Sequence, residues 1–386
     1  MTFREPISAI DLIVLGGGCA GLSLASRLAE QDSSFRTLVI EARPSYCEDR
    51  TWCGWRTEPH FFSDCVRVEW NQWEVVTPAG RFRQASEQYP YELIQADRFY
   101  NKACKIISAS NSVSLILGAE VDNVSDSSLR VSVTLKDQRT FNAPWVIDTR
   151  PRQEIVQSPW LWQNFVGYVV SFREGCDPFV GRIPTLMDFQ PPDASVAQFV
   201  YLLPICPGSY LVEWTRFASV SGQLPFIEAQ LIEWLNQRAG ESWKMERRES
   251  GSLPMALPAP ERRKRVLSAG TRGGSMRAST GYAFHSIQRW ADACASSLLS
   301  TGRPLAPQRN RLLDALDDSF LTVLQNKSTS ASKIFGDLFA HCEPDSLVRF
   351  LAGIPRAGDF WAVIRSLPWG PFLPTVPNLV YSWCKA

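Results

Sequence analysis

The residues Gly16-Gly17-Gly18-Cys19-Ala20-Gly21, with Glu41 twenty positions beyond the last glycine, have the types and spacing needed to hold a dinucleotide. In that pattern Gly16 makes a tight turn and Gly18 lets the backbone approach a pyrophosphate. Gly21 lets a helix pack close to a strand, and Glu41 stands where a carboxylate accepts from a ribose hydroxyl. The chemistry requires a strand, a helix and a second strand in that order, and the chain supplies them. Asp11–Leu15 is an apolar run, Leu24, Ala25, Leu28 and Ala29 share one helical face, and Thr37–Ile40 runs into the acid. The helix start presents free N–H groups and a partial positive charge to phosphates. A second turn of the same style, with Gly270, Gly273 and Gly274, follows the strand pattern Val266–Ala269. Gly281, in Ser279-Thr280-Gly281-Tyr282, then opens a helix through Ile287, Trp290, Ala291 and Cys294.

Two acids have sequence surroundings suited to proton transfer. Glu213 interrupts the apolar strand Tyr210-Leu211-Val212-Glu213-Trp214. Buried there, a carboxyl is costly to ionise and keeps its proton, as a general acid must. The alternative is a strand glutamate that faces solvent or pairs with Arg216. Asp188, after Leu186-Met187, is either a second acid or a residue that orients a partner or caps a turn. His60, His285 and His341 are scattered without metal-ligand spacing, so no metal is expected. No Ser-His-Asp or Cys-His arrangement stands out.

Around these residues the chain of 386 is long enough for two or three lobes. A net charge of +1 gives no broad attraction to nucleic acid. Fourteen Trp and twenty-one Phe must line a core, a large apolar pocket or a membrane-facing patch. The ten Cys show no CxxC pair and read as reduced cytosolic thiols. No run reaches the roughly 18 to 20 apolar residues of a membrane span, so a soluble or peripheral protein is expected. After Glu41 a polar stretch leads to Thr51-Trp52-Cys53-Gly54-Trp55, whose tryptophans either approach the cofactor or substrate or pack into the core. Strand patterns cover Val66–Trp70, Trp73–Val76, Ser114–Leu117, Val131–Leu135 and Phe141–Arg150, and Tyr91–Phe99 leads into a helix ending near Ile107. Gly167–Phe172, Gln198–Pro204 and Ser209–Thr215 read as strands, the last two as antiparallel neighbours, followed by an amphipathic helix over Phe226–Ala239. The tail from Pro307 is helical. Its proline-broken end, Pro368 to Pro374, either lies on a bilayer or caps the core.

The fold class expected is α/β, a Rossmann-like domain with an inserted antiparallel-sheet substrate domain and a helical C-terminal region. The cofactor domain takes residues 8–48, 92–150 and 260–300, the substrate domain 49–91 and 151–259, and the helical region 301–386.

Taken together, several motifs resemble the flavin-dependent bacterial lycopene cyclases, the soluble type related to plant lycopene β-cyclases. They are Asp11 to Gly18, Asp49-Arg50-Thr51-Trp52-Cys53, Pro184 to Asp188, Phe199 to Pro204 with Leu211 to Thr215, Gly251 to Met255, Ala269 to Gly274, Ser279 to Tyr282 and the Leu367 to Leu373 ending. The resemblance covers nearly the whole chain. It implies non-covalent FAD, active when reduced, with NADPH as electron donor. It adds Arg50 and Thr51 to the cofactor contacts and assigns Glu213 as general acid. The implied reaction turns the ψ-ends of lycopene into β-ionone rings, giving γ-carotene and then β-carotene, without net redox change. It also implies a cytoplasmic enzyme on the inner face of the cell membrane, with no nucleic acid and no obligate protein partner. Thr271 stands where many flavoproteins carry Asp. Trp214 stands where some relatives carry a second acid, which leaves Glu213 without that neighbour. The competing expectations are an FAD-dependent monooxygenase on an apolar substrate, a cyclase for another isoprenoid, and a non-catalytic carotenoid- or flavin-binding protein.

Overall fold

The computed structural model describes residues 9–31, 34–127, 129–151, 161–173, 175–189, 197–256, 263–325 and 331–377. The segment starts expected at residues 8 and 260, and the tail beyond 377, lie outside the described residues. In chain order the strands are β1 Leu12–Leu15, β2 Thr37–Ile40, β3 Thr51–Trp55, β4 Val66–Trp70, β5 Gln72–Thr77, β6 Gly80–Ala85, β7 Tyr91–Gln95, β8 Val113–Ile116, β9 Val121–Asp126, β10 Val131–Leu135, β11 Thr140–Ala143, β12 Trp145–Asp148, β13 Leu161–Phe172, β14 Thr185–Phe189, β15 Gln198–Cys206, β16 Ser209–Ala218, β17 Trp243–Met255 and β18 Val266–Ser268. The helices are α1 Cys19–Glu30, α2 Ala96–Ala109, α3 Leu224–Ala239, α4 Phe284–Thr301, α5 Arg311–Gln325, α6 Ala331–His341, α7 Pro344–Leu351, α8 Ala357–Ser366 and α9 Trp369–Phe372.

A parallel sheet in the order β18-β12-β1-β2-β8 forms the first layer. Its central strand is apolar throughout because both faces are covered. Leu12 and Val14 face α1, α2 and α4, whereas Ile13 and Leu15 face the antiparallel meander β11-β10-β9. The chain leaves β1 for β2 and β8 on one side and later adds β12 and β18 on the other. The crevice therefore opens after β1, where the order reverses and where such sheets bind ligands.

The second layer is the sheet β17-β13-β16-β15-β14-β5-β6, antiparallel except for the β5–β14 pair. One face carries Val166, Tyr168, Val212 and Trp214 against Ile227, Leu231 and Trp234 of α3. The opposite face packs with α5 to α8. A small sheet, β3-β7-β4, stands between the layers.

Two sequence expectations change here. Phe141–Arg150 is two strands in different sheets, because Pro144 has no N–H to continue a ladder. Tyr91–Gln95 is a strand rather than the approach to a helix. It pairs with β3 and β4, and α2 begins only at Ala96.

Candidate active site

The crevice after β1 has the shape that a dinucleotide requires. Gly16 has φ +96°, and a Cβ on Gly21 would collide with the Gly16 carbonyl oxygen. A Cβ on Gly18 would meet nothing within 4 Å, so the backbone is open there. Gly18 caps α1 without any side-chain hydrogen bond, which leaves the helix N–H groups free for an anion. Glu41, at the end of β2, accepts from Gly17 N at 2.6 Å and from Arg43 N at 2.8 Å. Burial alone would raise its carboxyl, but Arg43 and the Gly17 N–H hold it below the usual range, so it stays an ionised acceptor. Gly270, at φ +64°, turns the chain against Ala20 at the start of α1. Gly273 lies on the backbone of Ser268 and Ala269 in the same turn. Gly274 follows at φ +85°. These residues fit a dinucleotide cofactor.

From this region a cavity of about 960 Å³ extends to the cavity-facing side of the second layer. Its polar part holds Asp49, Arg50, Thr51, Thr271 and Arg272. Its apolar part holds Leu186, Met187, Phe199, Phe335, Phe339 and Leu351. Gly281, at φ +74°, lies against Gln163 in the same wall. Trp52 and Trp55 both line the cavity, and Trp55 is also core, edge-on to Trp73, Tyr91 and Tyr282. The hydroxyls of Tyr91 and Tyr201 lie 2.7 Å apart, and those of Tyr91 and Tyr282 3.3 Å apart. Burial raises the pKa of all three tyrosines and keeps them neutral.

Strand alternation places the acid. Leu211, Glu213, Thr215 and Phe217 of β16 line the cavity, while Val212 and Trp214 pack under α3. Arg216 lies over the Phe226 ring, not beside Glu213. The Glu213 carboxyl accepts from the Thr215 hydroxyl at 2.6 Å. Burial first, and the charge of Glu249 second, push it up to about 8. It therefore carries a proton at neutral pH.

The structure bears on three expectations for acids and histidines. Glu213 does have an acidic neighbour: Glu249 of β17, brought in by sheet register rather than by sequence. Asp188 is not among the residues lining the cavity. It pairs with Val200 and Val76 across β14, and its charged surroundings are Arg238, Arg81, Arg182 and Glu74. Two of the three histidines come together, and His341 stays apart at the end of α6. His60 Nε2 and His285 Nε2 lie 2.7 Å and 2.9 Å from the same oxygen, Oε1 of Glu92. Among the described residues these three have the spacing of metal ligands. However, Arg56 reaches the other oxygen of Glu92 at 3.3 Å, a cation where a metal would add more positive charge. Burial would raise Glu92, but hydrogen bonds from the two histidines and their charge bring it down to about 2.

The model of the family described as lycopene cyclase protein matches residues 11–376. A lycopene beta-cyclase of Pseudescherichia vulneris is 27% identical over 302 residues, 74% of each chain. A lycopene beta-cyclase of Pantoea ananas is 26% identical over 286 residues, 70% of each chain. Among solved structures, the p-nitrophenol 4-monooxygenase PnpA of Pseudomonas putida DLL-E4 superposes with a TM-score of 0.57 at 14% identity, over 93% of this chain and 97% of that one. That likeness gives the fold.

Proposed function

The chain belongs to the lycopene cyclase protein family, and we propose that it is the enzyme that closes β-ionone rings on the linear ends of lycopene. The observation that carries this reading is Glu213, a protonated acid on the wall of a large, mainly apolar cavity. A hydrocarbon offers no polar group to hold, so its site must be long, apolar and aromatic. Glu213 delivers a proton to the terminal alkene, and the resulting cation is attacked by a neighbouring double bond, which closes the ring. A proton then leaves the ring carbon for the Glu213 carboxylate that the first step created, which restores the acid. One proton enters and one departs, so the product is an isomer. The faces of Trp52 and Trp55 stabilise the cation, tryptophan being the best of the aromatic partners. Buried, neutral Tyr91, Tyr201 and Tyr282 exclude water that would quench it.

The crevice after β1 suits FAD. Gly16, Gly18, Gly21 and Glu41 would hold its nucleotide, and Arg50, Thr51, Gly270, Gly273, Gly274 and Gly281 would border the rest. When bound and reduced, with NADPH as the electron source, the flavin would supply negative charge that favours a developing cation. Cyclisation of one end gives γ-carotene and of both ends β-carotene.

Lycopene resides in lipid, so the proposal includes docking on the inner face of the cell membrane. No helix among the described residues is long and apolar enough to cross one. Trp361, Trp369, Leu373 and Val376 are exposed apolar residues on α8, α9 and the turn that follows, in a stretch that also exposes Arg356 and Arg365. They suit an anionic interface.

The test is anaerobic incubation of the protein with FAD, dithionite or NADPH, and lycopene in liposomes, followed by chromatography of the pigments. New cyclic carotenes without stoichiometric loss of NADPH are expected. Unchanged lycopene with reduced FAD bound would overturn the substrate assignment, and oxygen uptake in air would identify a monooxygenase instead.

A further inference from the structure

One rung of the second sheet brings two acids together through a residue that has no side chain. Gly167 of β13 pairs with Glu213 of β16 on one side and with Glu249 of β17 on the other. The two glutamates are thus two strand spacings apart, roughly 10 Å along the sheet, with no side chain on the residue between them. A Cβ built on Gly167 would lie 3.3 Å from Glu213 Cβ and 3.3 Å from Glu249 Cγ, so both side chains lean over the glycine.

The pair is asymmetric. Glu249 Oε2 accepts from Arg247 Nη1 at 2.6 Å and from the Thr51 hydroxyl at 3.0 Å, and Arg247 Nη2 donates to that same hydroxyl at 2.6 Å. Burial raises the Glu249 carboxyl above its ordinary value, and the charges of Arg247 and Arg50 with the Thr51 hydroxyl oppose that rise. Among the described residues Glu213 has one donor, Thr215, and no cation. Two carboxyls in one dry site do not both ionise. The one held by the arginine is the easier to ionise, and the other keeps the proton.

We infer that Glu249 is the positioning residue of the acid, an anchored carboxylate that acts across Gly167 to keep the proton on Glu213. This rests on the reading of Glu213 as the proton donor. It assigns the job of a second acid to a residue 36 positions away, in a chain whose adjacent position is Trp214.

The test is the pH profile of single-turnover cyclisation with reduced FAD bound, for the parent, Glu249→Gln, Glu249→Asp, Gly167→Ala and Glu213→Gln. FAD content and melting temperature report folding. The parent rate falls above about pH 8, where Glu213 loses its proton. Glu249→Gln moves that limb down by about one pH unit or more, Glu249→Asp restores most of it, and Gly167→Ala, which wedges the acids apart, shifts it part of the way in the same direction. Loss of activity in Glu249→Gln with no movement of the limb overturns the inference and leaves Glu213 as the acid. Parental activity in Glu213→Gln overturns the acid assignment itself. Should Glu249→Gln fail to bind FAD, the limb in Gly167→Ala decides. An unmoved limb there overturns the inference.

Discussion

Glu92 and Glu213 are both strand glutamates, yet their surroundings drive them to opposite charge states. Glu92 is fully enclosed, with two imidazoles on one oxygen and Arg56 on the other, and sits near 2. Glu213 faces an apolar cavity with one hydroxyl and a second acid for company, and sits near 8. Burial raises both. What separates them is the number of donors and the sign of the neighbouring charge. The first is tied into a network of donors, and the second is left with its proton, as the proposed proton source requires.

The comparison breaks first in activity. Glu213→Gln is expected to lower the cyclisation rate by about 10²- to 10⁴-fold, the range for a positioned general acid, with FAD still bound by absorbance. Glu92→Gln should keep the chemistry in whatever fraction remains folded.

In stability the ranking reverses. Glu92→Gln leaves His60, His285 and Arg56 facing a neutral group and should cost about 3–5 kcal/mol, as for a buried ion pair broken on one side, read by denaturant unfolding. Glu213→Gln removes a carboxyl that resists ionisation, so above pH 8 its melting temperature should exceed that of the parent by a few degrees. Equal effects of the two variants would dissolve the distinction.

The pH dependence carries the same opposition. The Glu92 carboxyl is lowered from 4.5 to about 2 on folding. Its stabilisation is complete above pH 4.5 and lost as the pH falls through about 2, on the order of 3 kcal/mol. Burial lowers His285, which therefore costs stability once the pH drops below its ordinary 6.5, in the same direction. Glu213 is raised from 4.5 to about 8, so its contribution is complete below pH 4.5 and declines as the pH rises to about 8. Melting curves from pH 3 to 9 for the parent and both variants separate the two limbs. The smallest expected change is His60→Phe, which removes one of the donors to Glu92 and should cost about 1–3 kcal/mol.

The cofactor crevice could be read from the sequence because its parts are contiguous: strand, glycines, helix, strand and acid within the 31 residues from Asp11 to Glu41. Glu213 was legible for a similar reason, as one charge inside an apolar strand. The rest of the site is made by register and packing. Glu249 lies in a run of charged and small residues, Arg247-Arg248-Glu249-Ser250-Gly251, with no apolar pattern to mark it. Only its pairing with Gly167 reveals its partner. His285 and Glu92 are separated by 193 positions and by every element from α2 to β18, so no periodicity links them. Asp188 follows two apolar residues as an inward acid would, but the irregular pairing of β14 takes it out of the cavity wall.

The most direct measurement is infrared titration of the Glu213 carboxyl in the FAD-bound protein, identified as the protonated C=O band that disappears in Glu213→Gln. The account predicts a band present at pH 7 and lost with a midpoint near 8. A Glu213 already ionised at pH 7, in protein that still cyclises lycopene, would contradict it.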